Sequence, residues 1–140
     1  GLEGLTSVGG DLDISFNDQL TSLSGLEGLT SVGGSLEISD NPLLISLAGL
    51  EGLTSVGGDL WIWNNPPLTS LTGLDSLSSV GGSLFIESNP QLLSDVGLES
   101  VMKVGGYVNP GSFDQSVLQA VASSPNLADE VDLFLTLDTD

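Results

Sequence analysis

Apolar and polar positions along this chain recur with a period of 24. Residues 1–10 read GLEGLTSVGG, and the same ten residues return at 25–34 and at 49–58. Looser copies, GLDSLSSVGG and GLESVMKVGG, occupy 73–82 and 97–106. Behind each Gly-Gly lies a stretch of period two: Leu12 and Ile14, Leu36 and Ile38, Leu60 and Ile62, Leu84 and Ile86 alternate with mostly polar neighbours. In a strand, that alternation places Leu and Ile on one side and their neighbours on the other. An Asn closes each run at Asn17, Asn41, Asn65 and Asn89, followed by Pro42, Pro66 and Pro90 in three of the four. Proline has no N–H for the ladder, so the strand ends there. A Leu-x-x-Leu segment, as in Leu20 to Leu23, leads back to the next repeat. No repeat holds a long run free of Gly and Pro with helical spacing. The rungs are therefore predicted to be strand and turn.

Such exact repetition predicts stacking, because one repeat cannot bury its apolar side alone. The expected fold is mainly β, a right-handed β-solenoid of 24-residue rungs about 4.8 Å apart. Its rungs are 1–24, 25–48, 49–72 and 73–96, with a partial one at 97–106, in a single domain. The predicted core columns are Leu12/Leu36/Leu60/Leu84, Ile14/Ile38/Ile62/Ile86, Leu26/Leu50/Leu74/Leu98, Val8/Val32/Val56/Val80 and Leu5/Leu29/Leu53/Leu77. The Asn column is read as a structural ladder whose amides satisfy turn backbone groups.

Residues 107–140 are expected to cap the array. Tyr107-Val-Asn-Pro110 puts Pro where Ile belongs, so the fifth repeat is expected to fail at its strand. Asp95 also occupies a Leu position, which predicts a local shift. Ser112-Phe-Asp-Gln115 has the capping-box pattern, predicting a short helix at about 113–123 that lays Phe113, Val117, Leu118 and Val121 over the last rung. The acidic tail alternates like a strand over 131–137, suited to an edge of this domain or to another subunit. Asp138-Thr-Asp140 resembles the opening of an Asp-x-Asp calcium loop, but two acids are too few to assign one. The start has no cap, which implies either that repeats precede it or that another subunit covers it.

The pattern Leu12-Asp-Ile-Ser-Phe-Asn17 resembles the core of the leucine-rich repeat. Val-Gly-Gly-x-Leu-x-Ile followed by Leu-x-x-Leu is closer still to the receptor L domain, the leucine-rich-like β-solenoid of growth-factor receptor ectodomains, with similar modules in microbial cell-surface proteins. The resemblance covers about residues 1–106. It implies a leucine-rich-repeat-like solenoid with a recognition role outside the cell or at its surface. The chain has one extra residue before the strand and one after the Asn. It lacks the cysteine-rich modules and caps of animal receptors, so a hormone-receptor role is not implied.

Composition narrows the partners. Nineteen Asp and Glu face a single base, Lys103, for a formal charge of −18. Nucleic-acid binding needs Lys and Arg on phosphates, and an anionic membrane would repel this chain. No stretch approaches the roughly 20 apolar residues of a membrane span, so membrane insertion is not expected. Divalent cations, cationic surfaces and neutral polymers such as glycans remain. The plain reading of the charge is adaptation to a salty or calcium-rich exterior that screens self-repulsion. There is no Cys, hence no disulfide framework.

Catalytic chemistry lacks its parts. The chain has no His, Cys or Arg, so neither a Ser-His nor a Cys-His arrangement is available, and no enzyme is expected. Asp13 and Glu37 share an outward column about 5 Å apart, a spacing compatible with a retaining glycosidase, yet the strand face offers no evident pocket. The outward columns read Asp11/Ser35/Asp59/Ser83, Asp13/Glu37/Trp61/Phe85 and Ser15/Ser39/Trp63/Glu87. Trp61, Trp63 and Phe85 break a rule of small or acidic residues. Exposed aromatic clusters mark binding sites. With Glu37, Asp59 and Glu87 around them, they suit sugar stacking with carboxylates accepting hydroxyl bonds; cover by a loop or a neighbouring domain is the alternative. Asp11, Asp13 and Glu37 could hold calcium weakly, although a flat site offers few oxygens and a solvated acidic face is the simpler reading. No other cofactor is expected. The Thr6/Thr30/Thr54 column, continued by Ser78 and ended by Met102, suggests ice binding. Three functions follow: an extracellular recognition or adhesion module for a glycan or protein, a protomer that joins copies of itself end to end into a filament or surface layer, and an ice-binding protein.

Overall fold

The computed structural model describes residues 2–92, 101, 103–104 and 108–109. Among them it is a parallel β-solenoid without helix. Each rung contributes one short strand and one longer strand. The short strands are β1 (Ser7–Val8), β3 (Ser31–Val32), β5 (Ser55–Val56), β7 (Ser79–Val80) and β9 (Lys103–Val104). The longer series is β2 (Leu12–Ser15), β4 (Leu36–Ser39), β6 (Leu60–Trp63) and β8 (Leu84–Glu87), ending in β10 (Val108–Asn109). Two five-stranded parallel sheets result, β1-β3-β5-β7-β9 and β2-β4-β6-β8-β10. Every strand pairs in register with the residue 24 positions on, as Leu36 with Leu60 and Val56 with Val80. Equivalent side chains therefore stack in columns.

The columns close the core. Leu36, Leu60 and Leu84, Ile38 and Ile62, and Leu29, Leu53 and Leu77 lose all exposure. Two further columns that strand alternation did not point to, Leu44/Leu68/Leu92 and Leu23/Leu47/Leu71, are buried as well. They come from the return segment, which has no strand periodicity to mark its inner side. In the first rung Leu5, Val8, Leu12, Ile14 and Leu20 are only partly buried, because no described rung covers that side.

Each long strand ends one way. Phe16, Asp40, Asn64 and Ser88 take φ of 58°, 53°, 52° and 56°. This left-handed conformation suits Asn and Asp and is costly for Phe. The next residue is the ladder Asn. Asn65 Nδ2 donates to Ile38 O at 3.0 Å and to Trp63 O at 3.1 Å, while its Oδ1 accepts from Asn41 N and Nδ2 at 3.3 and 3.1 Å. Asn41 and Asn89 repeat the scheme toward Ile14 O and Ile62 O. Asn17 donates to Asn41 Oδ1 but stays exposed. Among the described residues no buried side-chain N or O lacks a partner. The Gly-Gly turns stack backbone on backbone: a Cβ on Gly57 would lie 2.2 Å from Gly33 O.

The fifth repeat corrects one expectation. Its strand does not fail outright, since Val108 and Asn109 pair with Leu84 and Phe85. A proline removes only the ladder donor at its own position. The strand is two residues long, and Pro110 follows it. Asp95, the expected helix at 113–123 and the tail at 131–140 lie outside the described residues.

Candidate ligand-recognition face

The outer side of the long-strand sheet carries the three columns singled out above, and each has its own chemistry. The column before the strands holds the solenoid together. Asp11 Oδ1 accepts Ser35 N–H at 2.7 Å, Ser35 Oγ accepts Asp59 N–H at 3.0 Å, and Asp59 Oδ1 accepts Ser83 N–H at 2.8 Å. Each side chain thus caps the backbone of the next rung. Asp59 is half-buried, and its Oδ1 is engaged in the stack.

The other two columns meet. Ser15 donates to Asp13 Oδ1. Ser15 and Ser39 hydroxyl oxygens are 2.9 Å apart, and Ser39 Oγ donates to Glu37 Oε1 at 2.9 Å. Trp63 Nε1 donates to the same Oε1 at 3.0 Å. That contact is diagonal, because Trp63 stands directly across the ladder from Ser39. Ser39 is wholly buried although its position faces outward; Trp63 is the neighbour long enough to lie over it. Burial of Ser39 was not visible in the sequence. Its only signal was the bulky Trp one rung along.

Trp61 and Phe85, register partners on β6 and β8, stack with ring centroids 4.0 Å apart and planes 24° from parallel. Offset and parallel aromatic pairs of this kind stabilise beyond their buried area. Each ring has given one face to the other, and both are half-buried. Trp63 is more exposed, at 36%. Glu87 is its register partner on β8 and is half-buried. The structure thus brings together Trp61, Trp63, Phe85, Glu37 and Glu87 on one face, and leaves Asp59 in the stack beside them.

The remaining sites have structural partners. Asp11, Asp13 and Glu37 each accept the bonds already described, and among the described residues no three acidic, His or Cys side chains group to hold a metal ion. In the threonine column, the Thr30, Thr54 and Ser78 hydroxyls each donate to a carbonyl of the preceding rung at 3.0 Å. Glu27, Glu51 and Asp75 accept the N–H of the Gly two residues before them. A hollow of about 270 Å³ opens at the first rung between Leu2, Leu12, Ile14 and Leu20. A shallower groove of about 210 Å³ runs between Asp18, Asp40, Asn64, Pro42 and Pro66 on the turn side. No helix of the described residues is long and apolar enough to cross a membrane.

The family model described as Receptor L domain matches residues 6–104, from the threonine just before β1 to the end of β9. No curated protein and no solved structure matches the chain.

Proposed function

Since the chain belongs to the receptor L domain family, we propose that it is a recognition or adhesion module that binds a glycan or protein on the outer face of its long-strand sheet, centred on Trp61, Trp63 and Phe85. The family is one of ligand-binding, non-enzymatic modules found in the extracellular regions of receptors. The observation that carries the proposal is the concentration of aromatic surface on β6 and β8. Every other position in the outward columns of β2 to β8 is Ser, Asp or Glu. Interfaces draw most of their binding energy from a few such aromatic anchors.

The two other readings have less support. Ice binding calls for a regular array of outward hydroxyls, and those of the threonine column are committed to backbone carbonyls. End-to-end assembly draws on the partly covered first rung, but an apolar end is common to any solenoid rung without a neighbour.

The test is to probe a glycan array and an immobilised panel of extracellular proteins with the wild type and with the Trp61→Ala/Trp63→Ala/Phe85→Ala variant. The proposal expects ligands held by the wild type to be lost by the folded variant. Ligands that both forms hold equally would place recognition elsewhere and refute it.

A further inference from the structure

Resting on that recognition reading, we infer that the partner is a protein, and that the exposed indole of Trp63, with Glu37 and Glu87 on the neighbouring strands, receives one of its cationic side chains, a guanidinium above all. Three observations lead there. First, the aromatic residues are not equivalent. Trp61 and Phe85 each cover one face of the other at 4.0 Å, whereas Trp63 keeps 36% of its surface exposed. Second, Trp63 is held down. Its Nε1 donates to Glu37 Oε1 at 3.0 Å, which anchors the indole to β4, and its register partner Ser39 is wholly buried while Trp63 itself keeps 36% of its surface. Third, anions stand at both sides of the ring. Glu37 is on the strand before Trp63, and Glu87 is its register partner on the strand after.

An electron-rich ring face between two carboxylates attracts a cation through the ring quadrupole and through charge. Arginine fits this better than a compact ion. Its planar guanidinium stacks on indole while its N–H fork reaches carboxylates at the ring's edge. The chain's one base, Lys103, lies on β9 in the short-strand sheet. The net charge of −18 also draws a basic partner in and repels an acidic one.

The experiment titrates an alternating arginine–glycine decapeptide into the full chain at physiological salt. Its citrulline counterpart and cellohexaose serve as comparisons. Both tryptophans of the chain lie on this face, so intrinsic fluorescence reads it directly. The arginine peptide should bind about tenfold more tightly than the citrulline peptide. Trp63→Leu should weaken it about tenfold, and Trp63→Phe, which keeps a ring and guards against misfolding, about threefold. Glu37→Gln should weaken it several-fold, while Asp18→Asn, the same charge change on the turn side, should stay within about twofold. Equal binding of the two peptides, or an arginine affinity indifferent to Trp63, would overturn the inference. Binding of cellohexaose that Trp63→Leu abolishes, without arginine binding, would overturn it too but leave the recognition reading intact. Failure of the aromatic triple variant to change any ligand on the arrays would instead remove the reading on which it rests.

Discussion

The two sides of the long-strand sheet are made by the same four strands and follow opposite rules. Inward, β2, β4, β6 and β8 present Leu and Ile four times over. Outward, the same strands present Asp11/Asp13/Ser15, then Ser35/Glu37/Ser39, then Asp59/Trp61/Trp63, then Ser83/Phe85/Glu87. Register explains the contrast. A column whose members lie 24 residues apart in sequence and close-packed in space admits one residue type, since a change in volume opens a void or forces a clash. The outer side has water in place of that constraint. Within it the column nearest the Gly-Gly turns is again conservative, because Asp11, Ser35 and Asp59 bind the next rung's N–H. Variation concentrates where neither packing nor backbone capping dictates the residue, and there the aromatic patch sits.

Substitutions can sharpen this contrast. The largest effect is expected inside: Leu60→Ala, wholly buried between Leu36 and Leu84, should cost about 2–5 kcal/mol in chemical denaturation. Next comes the ladder. Asn65→Ala leaves the carbonyls of Ile38 and Trp63 without their amide donor and should cost about 1–3 kcal/mol. Asn17→Ala, at an exposed position of the first rung, should cost well under half as much; equal losses would show that burial does not set the ladder's value. Phe85→Ala removes the stack on Trp61 and should cost about 0.5–1.5 kcal/mol beyond the area it exposes, separable from Trp61 by a double-mutant cycle. Smallest in stability is Trp63→Leu. It breaks one exposed bond to Glu37 and should shift unfolding by no more than about 1 kcal/mol, yet it should change binding most.

What the sequence made legible follows from the same contrast. The rung length, the strands, the Asn ladder and the inward columns are repeat-invariant, so one chain shows them four times over. Strand alternation reached Leu36 and Ile38 but not Leu44 or Leu47, which lie in a return segment without period two. The fifth strand is shortened rather than lost, because Pro110 stops the ladder only where it stands and Val108–Asn109 still pair with β8. The site was half legible. Trp61, Trp63 and Phe85 stood out as breaks in the pattern. The division of labour among them did not, since the stack of Trp61 on Phe85 and the diagonal reach of Trp63 to Glu37 depend on rotamers across three rungs. Nor did the backbone role of Asp59, which needs the next rung's N–H to be seen.

The central claim is that recognition belongs to the outer face and stability to the inner one. Its most direct test compares the Trp61→Ala/Trp63→Ala variant with the wild type in one pair of measurements, the denaturation midpoint and the affinity for a ligand found on the arrays. The account predicts a far-ultraviolet spectrum of unchanged shape, a modest loss of stability of about 1–2 kcal/mol, and loss of binding. Binding that survives in a folded variant would contradict it.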